Sequence, residues 1–270
     1  DTKIFKKLKK TKNIALCFGP AWIFSNNFLK LFDNKIFNIN CIPLPYYMGG
    51  AHFTWQILNN SKDCGIYLQQ ITNQLDQGSI YLGKKFKILK KNPTPSLYFN
   101  AYDIQLRKFI KKLIFNILNN IRFKKKKFKK LFNMREYFPR LNSSINGYIN
   151  WQWSTIDIIK FCNAFDKPYR GASTFLNGRR VFLKNVSLYK KKKFHPFCNG
   201  IIIRINKSML FISTTDGIIK IGKCLNLKSK IVSFNFKQGD RLYTPNSFLE
   251  DSLNKRVKFN SLGLINKIKK

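Results

Sequence analysis

Apolar residues follow two different rhythms along this chain, and the change from one to the other divides it. Residues 13–19, NIALCFG, are a short apolar run closed by glycine, the pattern of a buried strand. In AWIFSNNFLKLF (21–32) the apolar positions recur at helical spacing, with Phe24, Phe28 and Leu31 on one face. KIFNIN (35–40) predicts a strand, HFTWQILNN (52–60) a helix and CGIYLQQI (64–71) another strand. Strands and helices in alternation predict an α/β layer. QLDQGSIYLGKKFKI (74–88) reads as a turn and an edge hairpin, and residues 98–121 as a long amphipathic helix with Phe109, Leu113, Ile117 and Ile121 in register.

A lysine-rich segment, RFKKKKFKKLF from residue 122, interrupts the pattern and predicts a linker over 122–136. Beyond it, TIDIIKFCNAF (155–165) predicts a helix whose first turn is Thr155 to Ile158, followed by a turn at DKPYRGAS with Pro168 and Gly171. The rhythm then shortens to period two. Asn177-Gly178 between two apolar runs is a hairpin signal, and Asn206 and Asp216-Gly217 mark further turns. Residues 137–255 therefore read as an all-β unit, a small OB-like barrel, and 256–270 as a basic tail. No internal repeat is visible.

Composition narrows the class. Hydrophobic residues are 44% and aromatics 15% of the 270, far too many for a disordered chain. Apolar runs such as GIIIRI and KLIFNIL fall short of the ~18–20 residues a membrane helix needs. The chain opens on Asp with no signal peptide, and reads as a processed or partial product. Cys17, Cys41, Cys64, Cys162, Cys198 and Cys224 form no CxxC pair, so reduced core thiols are expected rather than a zinc ribbon, and no metal site. Lys plus Arg number 51 against 12 acids, a formal charge of +39. Only 10 of the 51 are Arg, as AT-rich coding would produce. Whatever its origin, such a surface binds polyanions and gains counterion release at each RNA phosphate. Lys124, Lys125, Lys126 and Lys127, and Lys190, Lys191, Lys192 and Lys193, lie beside Phe123, Phe128 and Phe194 and are the candidate RNA-binding runs.

NINCIPLPYYMGG (38–50) stands apart, with two prolines and two glycines around a tyrosine pair, a shaped loop. This loop resembles the core of the folate-dependent formyltransferases, which formylate methionyl-tRNA or amino sugars. Asn38, Leu44-Pro45 and Gly49-Gly50 match that family's Asn-x-His, Leu-Pro and Arg-Gly positions, and Asp76 and Gly78 its Asp-x-Gly turn. INWQWSTIDIIKFCNAFDKPYRGASTFLNGRRVFL, DGIIKI and GDRLYTP resemble the start and closing strands of its C-terminal barrel. The resemblance implies a Rossmann-like formyltransferase domain over 1–121, with a folate loop at Leu44, Pro45, Gly49 and Gly50. It implies that Asn38 holds a developing oxyanion and that Asp76 tunes the histidine beside it. This sequence departs there: the histidine position is Asn40, Ser becomes Ile42 and Arg becomes Met48. His52 is the only histidine in the loop region, and His195 is read as structural. Twelve residues precede the first strand where the family has a βαβα half, so the α/β domain is expected to be truncated, its sheet edge covered by another chain.

Three functions are open on this reading. One is a structural, RNA-binding component of an organellar, mitochondrial ribosome with a vestigial site, no cofactor, and rRNA and ribosomal proteins as partners. A second is an active formyltransferase using 10-formyltetrahydrofolate, completed by a second chain. A third is an accessory subunit of another organellar complex, without membrane insertion.

Overall fold

Asp33 and Asn34 (φ 50° and 59°) turn the chain sharply between the first helix and the strand that follows it. The computed structural model describes residues 14–20, 23–50, 52–121, 123, 134–231, 236–257, 259–260 and 263–264. The helix before that turn, α1 (Asn26–Lys30), is only five residues long, capped by Ser25. It does not present Phe24, Phe28 and Leu31 as one buried face. Its buried residue is Leu29, and Phe24 stacks on Phe28 at 5.1 Å. Left-handed residues cannot continue a right-handed helix, which is why the apolar periodicity overran the element.

Four strands make the first sheet: β1 (Ala15–Cys17), β2 (Ile36–Asn40), β4 (Asp63–Gln70) and β5 (Ile80–Lys87), in the order β1-β2-β4-β5. β1 and β2 are parallel, and the other pairs antiparallel. β1 lies at an edge, with Leu16 39% and the following Phe18 59% exposed on one face while Ala15 and Cys17 are half-buried on the other. Between β2 and β4 come β3 (Met48–Gly49) and α2 (His52–Leu58). The long helix α3 (Pro95–Leu118) starts on a Thr94 cap with proline in its first turn, where the missing N–H is not needed. It buries Tyr98, Tyr102, Phe109 and Leu113. Burying each such side chain contributes about 1.5–3 kcal/mol. Ile117 is only partly buried, and Ile121 lies past the helix end, exposed.

The lysine run 124–127 lies outside the described residues, which resume with β6 (Tyr137–Phe138), paired with β3, and α4 (Ser143–Asn146). α5 (Thr155–Ala164) begins on Ser154, and Asp216 accepts from both the backbone N–H and the hydroxyl of Thr155. That carboxylate sits in the first turn, where the helix dipole favours negative charge. The second sheet has six strands: β7 (Ala172–Leu176), β8 (Arg179–Lys191), β9 (Ile202–Asn206), β10 (Met209–Thr214), β11 (Gly217–Leu225) and β12 (Leu242–Tyr243), in the order β12-β7-β8-β11-β10-β9. Its edges meet. Ile201 bridges Arg241, Ile202 N–H donates to Asp240 O at 2.8 Å, and Leu242 N–H to Gly200 O at 2.8 Å. These backbone bonds bring the start of β9 against β12, so the antiparallel sheet curls into a half-barrel. α6 (Asn246–Asn254) and the short pair β13 (Phe259–Asn260) and β14 (Gly263–Leu264) follow.

One hydrophobic cluster runs through both layers, from Ile66, Tyr102 and Leu113 to Ile158, Phe165, Leu183 and Ile219. α2 packs on α5 at the junction, where the Thr54 hydroxyl donates to Ala164 O at 3.2 Å. Among the described residues no helix is long and apolar enough to cross a membrane.

Candidate active site

Strand alternation decides which side chains of β2 meet which of β4. Asn38 pairs in register with Gln69, and Asn40 with Tyr67. Asn38 and Asn40, two residues apart, share one face of the sheet. Beyond β4 the chain turns through Asp76, at φ 52°, and folds back so closely that a Cβ on Gly78 would fall 1.6 Å from Gln70 O. Gln69 Nε2 fastens this turn by donating to Asp76 O (2.8 Å) and Gly78 O (3.2 Å). The Asp-x-Gly turn is therefore locked to the sheet, and it delivers the Asp76 carboxylate to the end of β2.

There the polar groups interlock. The Asn40 amide donates one hydrogen to Asp76 Oδ1 (2.8 Å) and the other to Gln69 Oε1 (3.0 Å). Gly49 N–H donates to Asp76 Oδ2 at 3.0 Å. Burial pushes the Asp76 carboxyl above the usual carboxylate range, opposed by the Gly49 N–H and the Asn40 amide. Asn38 Oδ1 accepts from Gly19 N–H at 3.2 Å, which orients its amide and leaves the Nδ2 donor for the pocket it lines.

That pocket, about 380 Å³, is bounded by Asn38, Asn40, Gly49, Gly50, His52 and Asp76, with Phe24, Phe53, Ile42 and Leu75 as apolar wall. Half-apolar walls with a few convergent polar groups are the usual make-up of a small-molecule site. His52 opens α2, and its ring meets Phe53 edge-on at 4.3 Å. Its Nε2 is buried with no hydrogen-bond partner among the described residues, and burial lowers its pKa to about 4.

The other sequence candidates lie elsewhere. Leu44 is buried in a small cluster with Ile42, Met48, Tyr67 and Ile80, and the Pro45 carbonyl accepts from Glu136 N–H, tying the loop to the chain before β6. These two residues shape the loop from behind, while Gly49 and Gly50 line the pocket. Lys190 and Lys191 end β8 and Lys192 and Lys193 follow, all exposed, with Lys192 Nζ 4.9 Å from the Phe194 ring centre. Lys124, Lys125, Lys126 and Lys127 lie outside the described residues. His195 caps a short 3₁₀ turn, its Nδ1 accepting from Phe197 N–H. Sequence reasoning missed Gln69, whose only signal was its place opposite Asn38 in the strand pairing, and Gly19, which acts through its backbone alone.

The chain is similar to known proteins along most of its length. Residues 1–111 match the family model described as formyl transferase, and residues 143–240 that described as formyl transferase, C-terminal domain. The methionyl-tRNA formyltransferase of Malacoplasma penetrans is 27% identical over 223 residues, covering 78% of this chain and 63% of that protein. The bifunctional polymyxin resistance protein ArnA of Wigglesworthia glossinidia brevipalpis is 30% identical over 180 residues, 65% of this chain and 26% of its own length. The chain thus spans less than two thirds of either relative. HypX from Aquifex aeolicus shares the fold over 86% of this chain and 40% of its own, with a TM-score of 0.63 at 17% identity. An N-formyltransferase from Helicobacter canadensis does so over 80% of this chain and 76% of its own, with a TM-score of 0.54 at 23% identity. With one family's two models matched in order along most of its length, the chain belongs to the formyltransferases.

Proposed function

We propose that this chain is a formyltransferase that takes its one-carbon unit from 10-formyltetrahydrofolate and gives it to an amine, methionyl-tRNA being the acceptor that suits a +39 surface. The observation that carries this reading is the Asn38 amide, which lines the pocket with its Oδ1 held by Gly19 N–H. A neutral, preorganised donor is what a developing negative oxygen requires. The pocket fits a folate in chemistry: apolar walls for a planar ring, an orphaned polar atom at His52, and the Asn38 donor. When bound, 10-formyltetrahydrofolate would supply the formyl group. The chain's own residues hold the amine, exclude water and orient the carboxylate. Asn40 has no titratable nitrogen, so Asp76 handles protons without an imidazole beside it, and slow transfer is expected.

Related proteins support the two substrate classes. A HypX structure is described in complex with tetrahydrofolic acid, and the relatives from Malacoplasma penetrans and Caldicellulosiruptor saccharolyticus are named methionyl-tRNA formyltransferases. The test is transfer of label from 10-formyltetrahydrofolate to methionyl-tRNA, with an amino-sugar nucleotide in parallel. Transfer that disappears in Asn38→Ala supports the reading, and absence of transfer to either acceptor overturns it.

A second reading is favoured by Asn40 together with the charge: an RNA-bound, non-catalytic component of an organellar ribosome, its barrel OB-like and the β1 edge covered by a neighbouring chain. Purification within a ribosomal particle, without turnover, is its signature.

A further inference from the structure

Five buried side-chain polar atoms lack a partner among the described residues: His52 Nε2, Gln56 Oε1, Tyr67 Oη, Arg180 Nε and Asn199 Oδ1. Of these residues only His52 lines the pocket that Asn38, Asn40 and Asp76 share. Apart from Asn38 Nδ2 and Asn40 Oδ1, the polar atoms of Asn38, Asn40 and Asp76 at the pocket are already committed. Asn40 spends both amide hydrogens on Gln69 and Asp76, both Asp76 oxygens accept, and Asn38 Oδ1 is taken by Gly19. A buried polar atom without a partner is a net cost to the fold, and native chains keep few of them. One kept in the wall of a pocket is accounted for when a ligand supplies the missing partner.

We propose that His52 is a ligand-contacting residue of this pocket, its Nε2 accepting a hydrogen bond from an N–H of the bound reduced folate. The proposal rests on the folate reading above. The ring is a suitable acceptor because it is neutral: desolvation holds its pKa near 4, so Nε2 carries a lone pair at neutral pH when the proton is on Nδ1. Placement helps too. His52 is the first residue of α2, and Phe53 meets its ring edge-on at 4.3 Å, fixing the plane in which that lone pair lies. A weak base is a poor proton carrier, so its role is to position the ligand and not to take its proton.

The experiment titrates purified full-length protein with tetrahydrofolate, following tryptophan fluorescence, and melts each variant without ligand. His52→Phe, which keeps the ring and removes the nitrogen, is expected to weaken binding roughly tenfold or more. His52→Gln, which keeps an acceptor, should recover most of that loss. Without ligand, His52→Phe should melt at the same or a higher temperature, because the orphaned atom is gone; a structural histidine would give the opposite. His195→Gln serves as control and leaves binding unchanged. If tetrahydrofolate binds and His52→Phe matches the wild type, this proposal is wrong while the folate reading stands. If wild-type protein binds no tetrahydrofolate, both fall.

Discussion

Asn40 holds Gln69 and Asp76 at once with the two hydrogens of its amide. It gives up the titratable nitrogen in exchange. Restoring that nitrogen by Asn40→His should raise single-turnover formyl transfer by about 10²–10⁴, the usual contribution of a positioned acid or base. A rate unchanged within twofold would mean that proton handling does not limit the site. His52 makes a separate prediction about acid. Its folded pKa, about 4, lies below the ordinary 6.5, so the unfolded chain binds more protons between those values. Stability therefore rises with pH through that window, and falls on acidification from 6.5 to 4 by up to about 3 kcal/mol. Denaturant titrations at pH 7 and 4.5 check this, and His52→Phe should lose a large share of the difference. At this scale the sequence was only partly legible. Asn38, Asn40 and Asp76 are recognisable through the resemblance to the formyltransferase motifs, but Gln69 becomes a site residue only once β2 and β4 pair, and pairing is not written in either strand alone.

The elements were legible where a turn has its own chemistry. Asn177-Gly178 forms the β7–β8 hairpin with φ of 47° and 73°, the left-handed pair such a two-residue turn demands. α1 was not, because its end is set by two left-handed residues that the apolar rhythm ignores. A small barrel was expected; the six strands form an antiparallel half-barrel, and the bonds around Ile201 and Leu242 that draw its ends together are backbone bonds with no particular side chain to announce them. Two glycines separate backbone freedom from space. A Cβ on Gly178 meets nothing within 4 Å, so Gly178→Ala carries only left-handed strain, about 1–2 kcal/mol. A Cβ on Gly78 would overlap Gln70 O, so Gly78→Ala must open the turn that carries Asp76. Chemical denaturation should show a loss of stability for both, with a larger one for Gly78→Ala. Formyl transfer should fall only in Gly78→Ala.

For the whole molecule, charge and core make different demands. If the +39 surface serves RNA, association with structured RNA must weaken steeply with salt. With about 6 to 10 phosphate contacts, affinity should drop roughly 10³–10⁵ between 50 and 200 mM salt. Replacing Lys190 to Lys193 by glutamine should flatten the slope without unfolding the six-stranded sheet, since all four are exposed. Salt-independent binding would leave the charge as a matter of coding alone. The shared core has a quieter consequence. Because α2 and α5 meet in one hydrophobic cluster, the two layers are joined by more than the peptide chain. A protease that cuts the lysine-rich segment, 122–136, would sever the covalent link and leave two fragments still mated. They should co-elute in native buffer and part only in denaturant, so the protein is a natural subject for reassembly from separately made halves.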